Sequence, residues 1–282
     1  MQLIKTEIAE ISNNIKILFR ILLGKGKLPD FLVIGSQKCG TTYLWGILRQ
    51  HPEIEMAPHY LRIKRKKNPV WIDKKEIGFF WDKRIFKKGV LWYKSLFNKN
   101  DKLQGEANPS YYAATEFHER MYKIIPNAKL ILLIRNPVNR AFSAFNHMVR
   151  TKRNWPGYDI SKNFSENMDK DIKSGFRCGR IISYGFYIKY IENLQKYYSR
   201  DQLLIIVTEH MRKYPERTYE TICNFLGVKK TKLNLNKQTY VSAYLESLDK
   251  NIEEKLYSIY EPYNEELYKF LGYRIKEWEN VK

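Results

Sequence analysis

The 282-residue sequence predicts a single α/β domain in which helices flank a central parallel sheet. Hydrophobic residues make up 44% of the chain, which is enough for one large domain with a substantial core. Four short runs are rich in β-forming residues, and three of them lack the alternation of a half-exposed strand, as expected for strands covered on both faces. Helical patterns lie between the runs. Such alternation favours parallel strands that bind ligands beyond their carboxyl ends.

The hydrophobic pattern places these elements along the chain. The predicted strands are Phe31 to Ile34, Lys102 to Gly105, Leu130 to Ile134 and Leu203 to Val207. The predicted helices are Thr41 to Gln50, Val90 to Phe97, Thr115 to Ile125, Pro137 to Lys152, Tyr184 to Tyr198 and Pro215 to Leu226. Gly35 and Arg135 therefore both lie at the carboxyl ends of predicted strands.

Residues 1–28 carry an amphipathic pattern and are predicted to form a helix that precedes the main domain, residues 29–282. The apolar stripe recurs at spacings of three and four, at Ile4, Ile8, Ile11, Ile15, Leu18 and Leu22. We expect this stripe to pack on the domain. Peripheral membrane contact or self-association is the alternative, helped by nearby cations at Lys16, Arg20, Lys25 and Lys27. The sequence contains neither a run of about 20 apolar residues nor a signal-peptide pattern.

The chain carries 50 Lys and Arg against 30 Asp and Glu, which gives a formal charge of +20. This charge predicts attraction to nucleic acid, anionic glycans, anionic lipid or a polyphosphorylated cofactor. A strongly basic surface loop, Tyr60 to Lys75, could guide an acidic acceptor. The cysteines are too few for a disulfide framework or a metal cluster, so a reducing compartment is the simpler assumption: Cys39, Cys178 and Cys223.

The segment Gly35-Ser-Gln-Lys-Cys-Gly-Thr-Thr42 has the composition of an anion-binding turn between a strand and a helix. Its glycines permit a tight turn whose N–H groups point inward, and the next helix adds unpaired N–H groups and the positive end of its dipole. Lys38 adds a full positive charge, and two threonines add hydroxyl groups. The nucleotide P-loop carries Lys directly after its second Gly, whereas Lys38 precedes Gly40. A plain structural turn is the alternative interpretation.

A second corner lies where the predicted strand Leu130 to Ile134 meets the next helix. Arg135 ends the strand, Asn136 is a predicted N-cap, and Pro137 is a favoured first helical residue. The helix then places three polar side chains on one face at spacings of three and four: Arg140, Ser143 and His147. An Arg at a strand end with a Ser on the next helix forms a second anion clamp, although such an Arg is often part of a structural ion pair.

Two anion sites, each on its own corner, suit a nucleotide phosphorylated at both ends of its ribose. In this combination the sequence resembles the sulfotransferases that use 3′-phosphoadenosine 5′-phosphosulfate (PAPS). The resemblance implies a P-loop-NTPase-like sulfotransferase fold with no metal. It further implies that the second corner binds the 3′-phosphate through Arg135 and Ser143. The first loop would bind the 5′-phosphosulfate through Gly35, Ser36, Gln37, Lys38, Cys39, Gly40, Thr41 and Thr42.

The segments Lys75 to Asp82 and Gly89 to Phe97 look most like the heparan-sulfate N- and 3-O-sulfotransferase branch. In that branch the residue matching Glu76 is the catalytic base, whereas residue chemistry alone favours a surface carboxylate paired with Lys74 or Lys75. The resemblance implies in-line transfer of a sulfuryl group to a hydroxyl or amine of a glycan, with Lys38 stabilising the leaving group. We expect the aromatic run that follows Glu76 to shield it partly from water: Phe79, Phe80 and Trp81.

At other positions the sequence matches or departs from this branch in residues that would contact the acceptor or close over the cofactor. His147 matches a histidine of the N-sulfotransferase active site and is a candidate base or acceptor contact. The 3-O enzymes carry Lys where Ala107 stands and His near Gly78, so their acceptor contacts are not preserved. Lys237 to Tyr244 takes the place of the loop that closes over the cofactor, which makes Lys237 a candidate cofactor contact.

Two other functions fit parts of the sequence. A P-loop-like kinase or NTPase is disfavoured by the position of Lys38 and by the lack of a clear apolar strand that ends in a magnesium-binding Asp. A non-enzymatic polyanion-binding protein would explain the charge but not the two corners, and no recognised nucleic-acid motif is present. The Lys-, Ile-, Asn- and Tyr-rich composition favours a microbial cytoplasmic enzyme, with the Golgi lumen as the alternative if the chain has been trimmed of an anchor.

Overall fold

Five parallel strands form one sheet in the computed structural model, which describes residues 12, 14–57, 76–153, 155–235 and 247–279. The strands are β1 (Phe31–Gly35), β2 (Ile54–Met56), β3 (Leu103–Ala107), β4 (Lys129–Ile134) and β5 (Leu203–Val207). Their order in the sheet is β2-β3-β1-β4-β5, so β1 is central and pairs with β3 on one side and β4 on the other.

Helices cover both faces of this sheet. They are α1 (residues 14–22), α2 (Thr41–Leu48), α3 (Lys83–Phe86), α4 (Gly89–Ser95), α5 (His118–Ile124), α6 (Pro137–Arg150), α7 (Phe164–Lys173), α8 (Tyr187–Gln195), α9 (Thr208–Lys213), α10 (Pro215–Leu226) and α11 (Lys250–Leu271). None of the helices in the described ranges combines the length and the hydropathy needed to cross a bilayer.

Alternate residues of the central strands enter two hydrophobic layers, one on each face of the sheet. On β1, Leu32 and Ile34 belong to one layer and Phe31 and Val33 to the other, and all four are fully buried. Burial of such side chains contributes about 1.5–3 kcal/mol each to folding. The predicted parallel sheet covered on both faces is therefore confirmed.

A separate hydrophobic cluster joins α6 to α7 and α11. The ring of Phe164 at the start of α7 packs edge-on against Phe142 of α6, with centroids 5.1 Å apart, and Leu256 of α11 is fully buried in the same cluster. This packing holds α6, which begins directly after β4, against the rest of the domain.

The four predicted strands are all present, each within two residues of its predicted bounds. The sequence analysis missed β2, because a three-residue edge strand is too short to show a periodic pattern. It also missed α3, α7, α9 and α11; α11 contains Pro262, a residue that usually argues against a helix interior. The predicted helix Thr115 to Ile125 is a 3-10 turn, Thr115–Phe117, followed by α5.

Helix α1 packs through a different face from the predicted one. Its packed residues are Ile17, Arg20 and Ile21. The Arg20 guanidinium donates to the carbonyls of Ser95, the last residue of α4, and of Phe97 just beyond it, where helix-end carbonyls lack partners within their own helix. The predicted stripe is instead exposed in its described part: Ile15 by 48%, Leu18 by 55% and Leu22 by 72%.

Three sequence predictions fall on residues outside the described ranges. They are the basic loop Tyr60 to Lys75, the segment Lys237 to Tyr244 with Lys237, and the first part of the apolar stripe at Ile4, Ile8 and Ile11.

Candidate active site

The turn between β1 and α2 is held by hydrogen bonds to neighbouring elements. The Ser36 N–H donates to the Leu133 carbonyl in β4 at 2.7 Å. The Thr208 hydroxyl at the start of α9 donates to the Cys39 carbonyl at 2.7 Å and to the Ile134 carbonyl at 2.8 Å. The shape of the turn is therefore fixed by β4 and α9.

Both glycines of the turn are required by close packing. A Cβ on Gly35 would lie 2.4 Å from Cδ1 of Tyr112, and one on Gly40 would lie 2.9 Å from Cε of Met211. Gly40 also has φ 91°, in the left-handed region that other residues rarely adopt. Lys38 has φ 68°, a conformation that costs a non-glycine residue about 1 kcal/mol or more and is found most often at functional sites.

The N-terminus of α2 faces this turn without a capping side chain from the described residues. Its first intrahelical hydrogen bond runs from the Leu44 N–H to the Gly40 carbonyl at 3.1 Å. The amides that precede Leu44 have no acceptor within the helix and lie at the positive end of its dipole. An anion at the turn would therefore meet main-chain N–H groups as well as Lys38.

The side chains of the turn divide into two groups. The buried ones are Ser36, Cys39 and Thr41, and the partly exposed ones are Gln37, Lys38 and Thr42. Burial raises the pKa of the Cys39 thiol, which therefore stays protonated and faces the Tyr187 hydroxyl. The N–H groups of Ser36 and Cys39 donate to the carbonyls of Leu133 and Ser36, so an anion would instead meet Lys38 and the amides at the start of α2.

The second corner has the predicted N-cap. The Asn136 side chain accepts from the N–H groups of Val138 and Asn139, both at 3.1 Å, and Pro137 occupies the first turn of α6. The Asn136 N–H in turn donates to Glu209 of α9 at 3.0 Å. Arg135 therefore leaves β4 in a fixed direction, with its side chain partly exposed.

The structure brings the two corners into contact. Arg135 Nη1 donates to the Lys38 carbonyl at 3.5 Å. The Tyr187 hydroxyl braces the same place, because it donates to the Arg135 carbonyl at 2.8 Å and accepts from the Arg135 N–H at 3.3 Å. Ser143 and His147 follow on α6, both partly exposed. One edge of the sheet thus holds the first turn, Arg135 and this face of α6.

Arg140, on the same helix, is fully buried behind the turn. Its guanidinium donates to the Ile181 carbonyl, its Nε has no hydrogen-bond partner among the described residues, and it forms no ion pair with any of them. It lies close enough to Cys39 to lower the pKa of that thiol, against the larger effect of burial. A buried positive charge therefore lies close to Cys39 of the turn.

His147 reports the strength of the positive field on the exposed side. Burial, together with the charges of Lys38, Arg150 and Arg153, lowers its pKa to about 4. Arg150 Nη2 lies 3.1 Å from Nδ1 of the ring and can only donate, so the proton of the neutral ring is on Nε2. In this arrangement His147 offers a hydrogen-bond donor to a ligand.

Glu76 lies next to the carboxyl end of β3, the strand beside β1. The following residue, Ile77, is buried, and its N–H donates to the buried carboxyl of Glu106 at 3.2 Å. Glu76 itself is exposed, so the expected shielding by the aromatic run is wrong. The reason is that Phe79 and Phe80 turn into the core, where both are fully buried, while Trp81 is 42% exposed.

The structure therefore gathers Lys38, Arg135 and His147 and places Glu76 on the neighbouring strand end. Sequence reasoning missed the side chains that support them, Glu106, Tyr187, Thr208 and Glu209. A carboxylate inside an otherwise uncharged strand, Leu103–Ala107, was the one available signal for Glu106, because such a group is buried only when it is hydrogen-bonded. The other three are revealed only by the packing of α8 and α9.

The donor set of this edge fits a polyanionic nucleotide. It combines helix N-terminal amides, an ammonium, a guanidinium and hydroxyl groups. Burial lowers the pKa of His147 most, and Lys38, Arg150 and Arg153 lie close enough to lower it further. Among the described residues, no group of three or more His, Cys, Asp or Glu side chains could hold a metal ion.

We predict that the His147 ring titrates with a midpoint near pH 4, because burial and three nearby cations favour its neutral form. Since the folded pKa is below the ordinary 6.5, the contribution of this ring to stability is present above pH 6.5 and is lost as the pH falls toward 4. NMR of the ring nitrogens and carbons measures both the midpoint and the Nε2–H tautomer. Arg150→Ala should raise the midpoint, and a wild-type midpoint near 6.5 would contradict the assignment.

Comparison with known proteins identifies the family to which the chain belongs. A model of the sulfotransferase domain matches residues 28–261. A bifunctional heparan sulfate N-deacetylase/N-sulfotransferase 4 from Mus musculus is 31% identical over 211 residues, 71% of this chain and 22% of that protein. A heparan sulfate glucosamine 3-O-sulfotransferase 6 from Homo sapiens is 25% identical over 212 residues, 73% of this chain and 54% of that protein. The chain thus spans between about a fifth and about half of the length of these relatives.

A solved structure supports the same fold. The sulfotransferase from Alicyclobacillus acidocaldarius superposes with a TM-score of 0.62 at 24% identity, covering 89% of this chain and 99% of that one. The match of the domain model extends from just before β1 into α11 and so includes every strand of the sheet and both corners. The chain belongs to the sulfotransferase domain family.

Proposed function

We propose that this protein transfers a sulfuryl group from PAPS to a hydroxyl or amine of a glycan. The observation that carries the proposal is the contact between the two corners, in which Arg135 Nη1 lies 3.5 Å from the Lys38 carbonyl. Two adjoining corners that each carry a cation suit a nucleotide with phosphate groups at both ends of one ribose. Family membership favours this activity over a kinase or NTPase and over a non-enzymatic polyanion-binding protein.

Each group at the sheet edge then has a role in binding. The turn residues Gly35 to Thr42 hold the 5′ end through main-chain N–H groups and the Lys38 ammonium. Arg135 and Ser143 hold the 3′-phosphate. PAPS supplies the sulfuryl group, and adenosine 3′,5′-bisphosphate is its product. Lys38 stabilises the negative charge that develops at the leaving oxygen, a task for which a fixed cation needs no reorganisation.

Glu76 is the proposed general base on the acceptor side. Its exposed carboxylate is held at the carboxyl end of β3 through the neighbouring Ile77 amide, one strand away from the turn that carries Lys38. It would take the proton of the acceptor hydroxyl or amine as the new bond to sulfur forms. His147, with Nδ1 engaged by Arg150, would donate from Nε2 and so orient the acceptor or a sulfuryl oxygen.

An anionic or neutral glycan is the proposed acceptor. Support comes from the names of the relatives, which act on heparan sulfate, and from exposed cations near His147 at the end of α6: Arg150, Lys152 and Arg153. Lys237 is proposed to close over the cofactor, on the sequence resemblance alone. We keep the division into an N-terminal helix, residues 1–28, and a sulfotransferase domain, residues 29–282, as part of the proposal.

Adenosine 3′,5′-bisphosphate should stabilise the protein against heat, whereas ATP with magnesium and a random oligonucleotide should not. At 100 times the dissociation constant a ligand adds about 2.7 kcal/mol, which for a domain of this size raises the Tm by about 5–10 °C. Differential scanning fluorimetry measures the shift. Lys38→Ala and Arg135→Ala should each reduce it, while Lys196→Ala, at an exposed position just after α8, serves as the matched control. A larger shift with ATP would rule out the proposed cofactor.

Glu76→Gln should lower kcat by about 10²–10⁴-fold, the usual contribution of a general base. The variant keeps the size of the side chain, so its stabilisation by adenosine 3′,5′-bisphosphate should equal that of the wild type. Transfer of labelled sulfate from PAPS, screened over glycans, phenols and lipids, first identifies an acceptor and then measures kcat. Near-normal turnover of Glu76→Gln on that acceptor would assign the base to another residue, with His147→Gln as the next variant.

We propose that the protein is a cytoplasmic enzyme that contacts an anionic membrane through α1. The cysteines Cys39, Cys178 and Cys223 are all free thiols, as suits a reducing compartment. Helix α1 and the residue after it expose five large apolar side chains: Ile15, Leu18, Phe19, Leu22 and Leu23. Residues 11–29 contain no Asp or Glu, and Lys16 and Lys25 are exposed beside the apolar face. A basic amphipathic helix of this kind suits an anionic bilayer surface.

The protein should therefore pellet with vesicles that contain anionic phosphatidylglycerol and should remain in solution with neutral phosphatidylcholine vesicles. Leu18→Glu with Leu22→Glu should abolish pelleting, because both charges would enter the apolar layer. Leu91→Glu, at a 64% exposed position on α4, is the matched control. Unchanged pelleting of the double variant would exclude α1 as the contact, and a concentration-dependent dimer without vesicles would favour self-association. Fractionation of cells tests the compartment.

A further inference from the structure

The carboxyl of Glu106 is the one fully buried carboxyl group next to the candidate site among the described residues, and the proposed reaction does not use it. Oε2 accepts from the Tyr93 hydroxyl at 2.6 Å. Oε1 accepts from the Tyr111 hydroxyl at 2.8 Å and from the Ile77 N–H at 3.2 Å. A buried carboxyl is tolerated only with such a set of donors, and the set makes it a rigid junction.

The donors come from three different parts of the chain. Tyr93 lies on α4, Tyr111 begins the 3-10 turn after β3, and Ile77 belongs to the segment that carries Glu76. Tyr111 is itself fixed, because its carbonyl accepts from the His118 ring at 3.1 Å, and the other ring nitrogen of His118 accepts from the Asn193 amide at 2.7 Å. Glu106 therefore joins the segment before α3 to the sheet through groups that cannot easily move.

The position of this junction relates it to the reaction. Glu106 is the second-last residue of β3 and pairs in register with Leu32 of β1, three residues before Gly35. The Ile77 amide is thus held at the carboxyl edge of the sheet, one residue from Glu76 and one strand from the turn. We infer that Glu106 is a positioning residue that acts through the Ile77 amide to hold Glu76 beside the turn that carries Lys38.

The protonation of Glu106 changes near neutral pH. Burial raises its pKa to about 7, against the lowering effect of Tyr93, Tyr111 and the Ile77 amide. The titratable groups around it are those two tyrosines, with Tyr198 and His118 behind them, and burial lowers the pKa of His118 to about 4, so that ring is neutral. An ionised carboxylate accepts stronger hydrogen bonds than a neutral one, so the hold on Ile77 tightens above pH 7.

The same shift has the opposite sign for global stability. Between pH 4.5 and about 7 the folded carboxyl binds more protons than the unfolded one. The contribution of Glu106 to stability is therefore full below pH 4.5 and is lost as the pH rises through 7. The charged form holds the Glu76 segment more firmly at a cost to the stability of the whole domain.

Glu106→Gln tests this role, since its amide oxygen still accepts from Ile77 but carries no charge. We expect kcat to fall about tenfold with the KM for PAPS unchanged, and an inflection near pH 7 in the wild-type kcat profile to be absent from the variant. Amide hydrogen exchange of residues 76–81 should become faster, while exchange of α2 should not change. Glu55→Gln is the control: Glu55 on β2 also accepts from several amide side chains, but at the other end of β3.

Equal losses of kcat in the two variants, or unchanged exchange of residues 76–81 in Glu106→Gln, would overturn the inference. The inference rests on the proposed role of Glu76, so kcat and amide hydrogen exchange are both measured to tell its failure from the failure of the proposed function. Absence of sulfuryl transfer by the wild-type protein on every acceptor would refute the proposed function. The exchange measurement would still show whether Glu106 holds the segment.

Discussion

The pairing of β1 with β3 and β4 is the constraint on which the candidate site depends. Phe31 lies opposite Gly105 in the register of β1 and β3, and a Cβ on that glycine would lie 2.2 Å from the Phe31 ring. The missing side chain lets the ring lie flat on the neighbouring strand. Both partners of β1 then end at one edge, so the turn, Arg135 and the Glu76 segment lie at the same edge of the sheet.

Electrostatics at this edge is one-sided. Burial lowers the pKa of His147 most, the nearby charges of Lys38, Arg150 and Arg153 lower it further, and none of the causes of that shift is a carboxylate. Mutual repulsion among these cations opposes folding, and their convergence is therefore best explained by an anionic ligand. Repulsion of this kind at a functional site lowers folding stability, and other parts of a fold usually offset the loss. In this protein the hydrophobic burial in the two layers and in the α6–α7–α11 cluster stabilises the fold.

Much of the fold could be predicted from local patterns. Four buried strands, the Asn136 cap and the glycine turn each depend on neighbours in sequence, and each is confirmed. Contacts between distant residues could not be predicted. The exposure of Glu76 follows from where Phe79 and Phe80 find space in the core, and the buried role of Glu106 depends on tyrosines 13 residues before it and five after it. The face on which α1 packs carries Arg20, whose hydrogen bonds to the end of α4 depend on distant residues that the apolar periodicity could not reveal.

Arg140 has a consequence for how ionic conditions affect the turn. Attraction from exposed cations fades over about 8–10 Å at physiological salt, whereas a charge in the protein interior is screened much less. The guanidinium of Arg140 is fully buried near Cys39, so salt screens its charge only weakly. Affinity for an anion at the turn will therefore have a salt-sensitive part from the rim and a salt-resistant part from the interior. For the nucleotide that we propose at the turn, the interior part would keep affinity in a concentrated ionic medium, whereas the part from the exposed cations would weaken as the salt concentration rises.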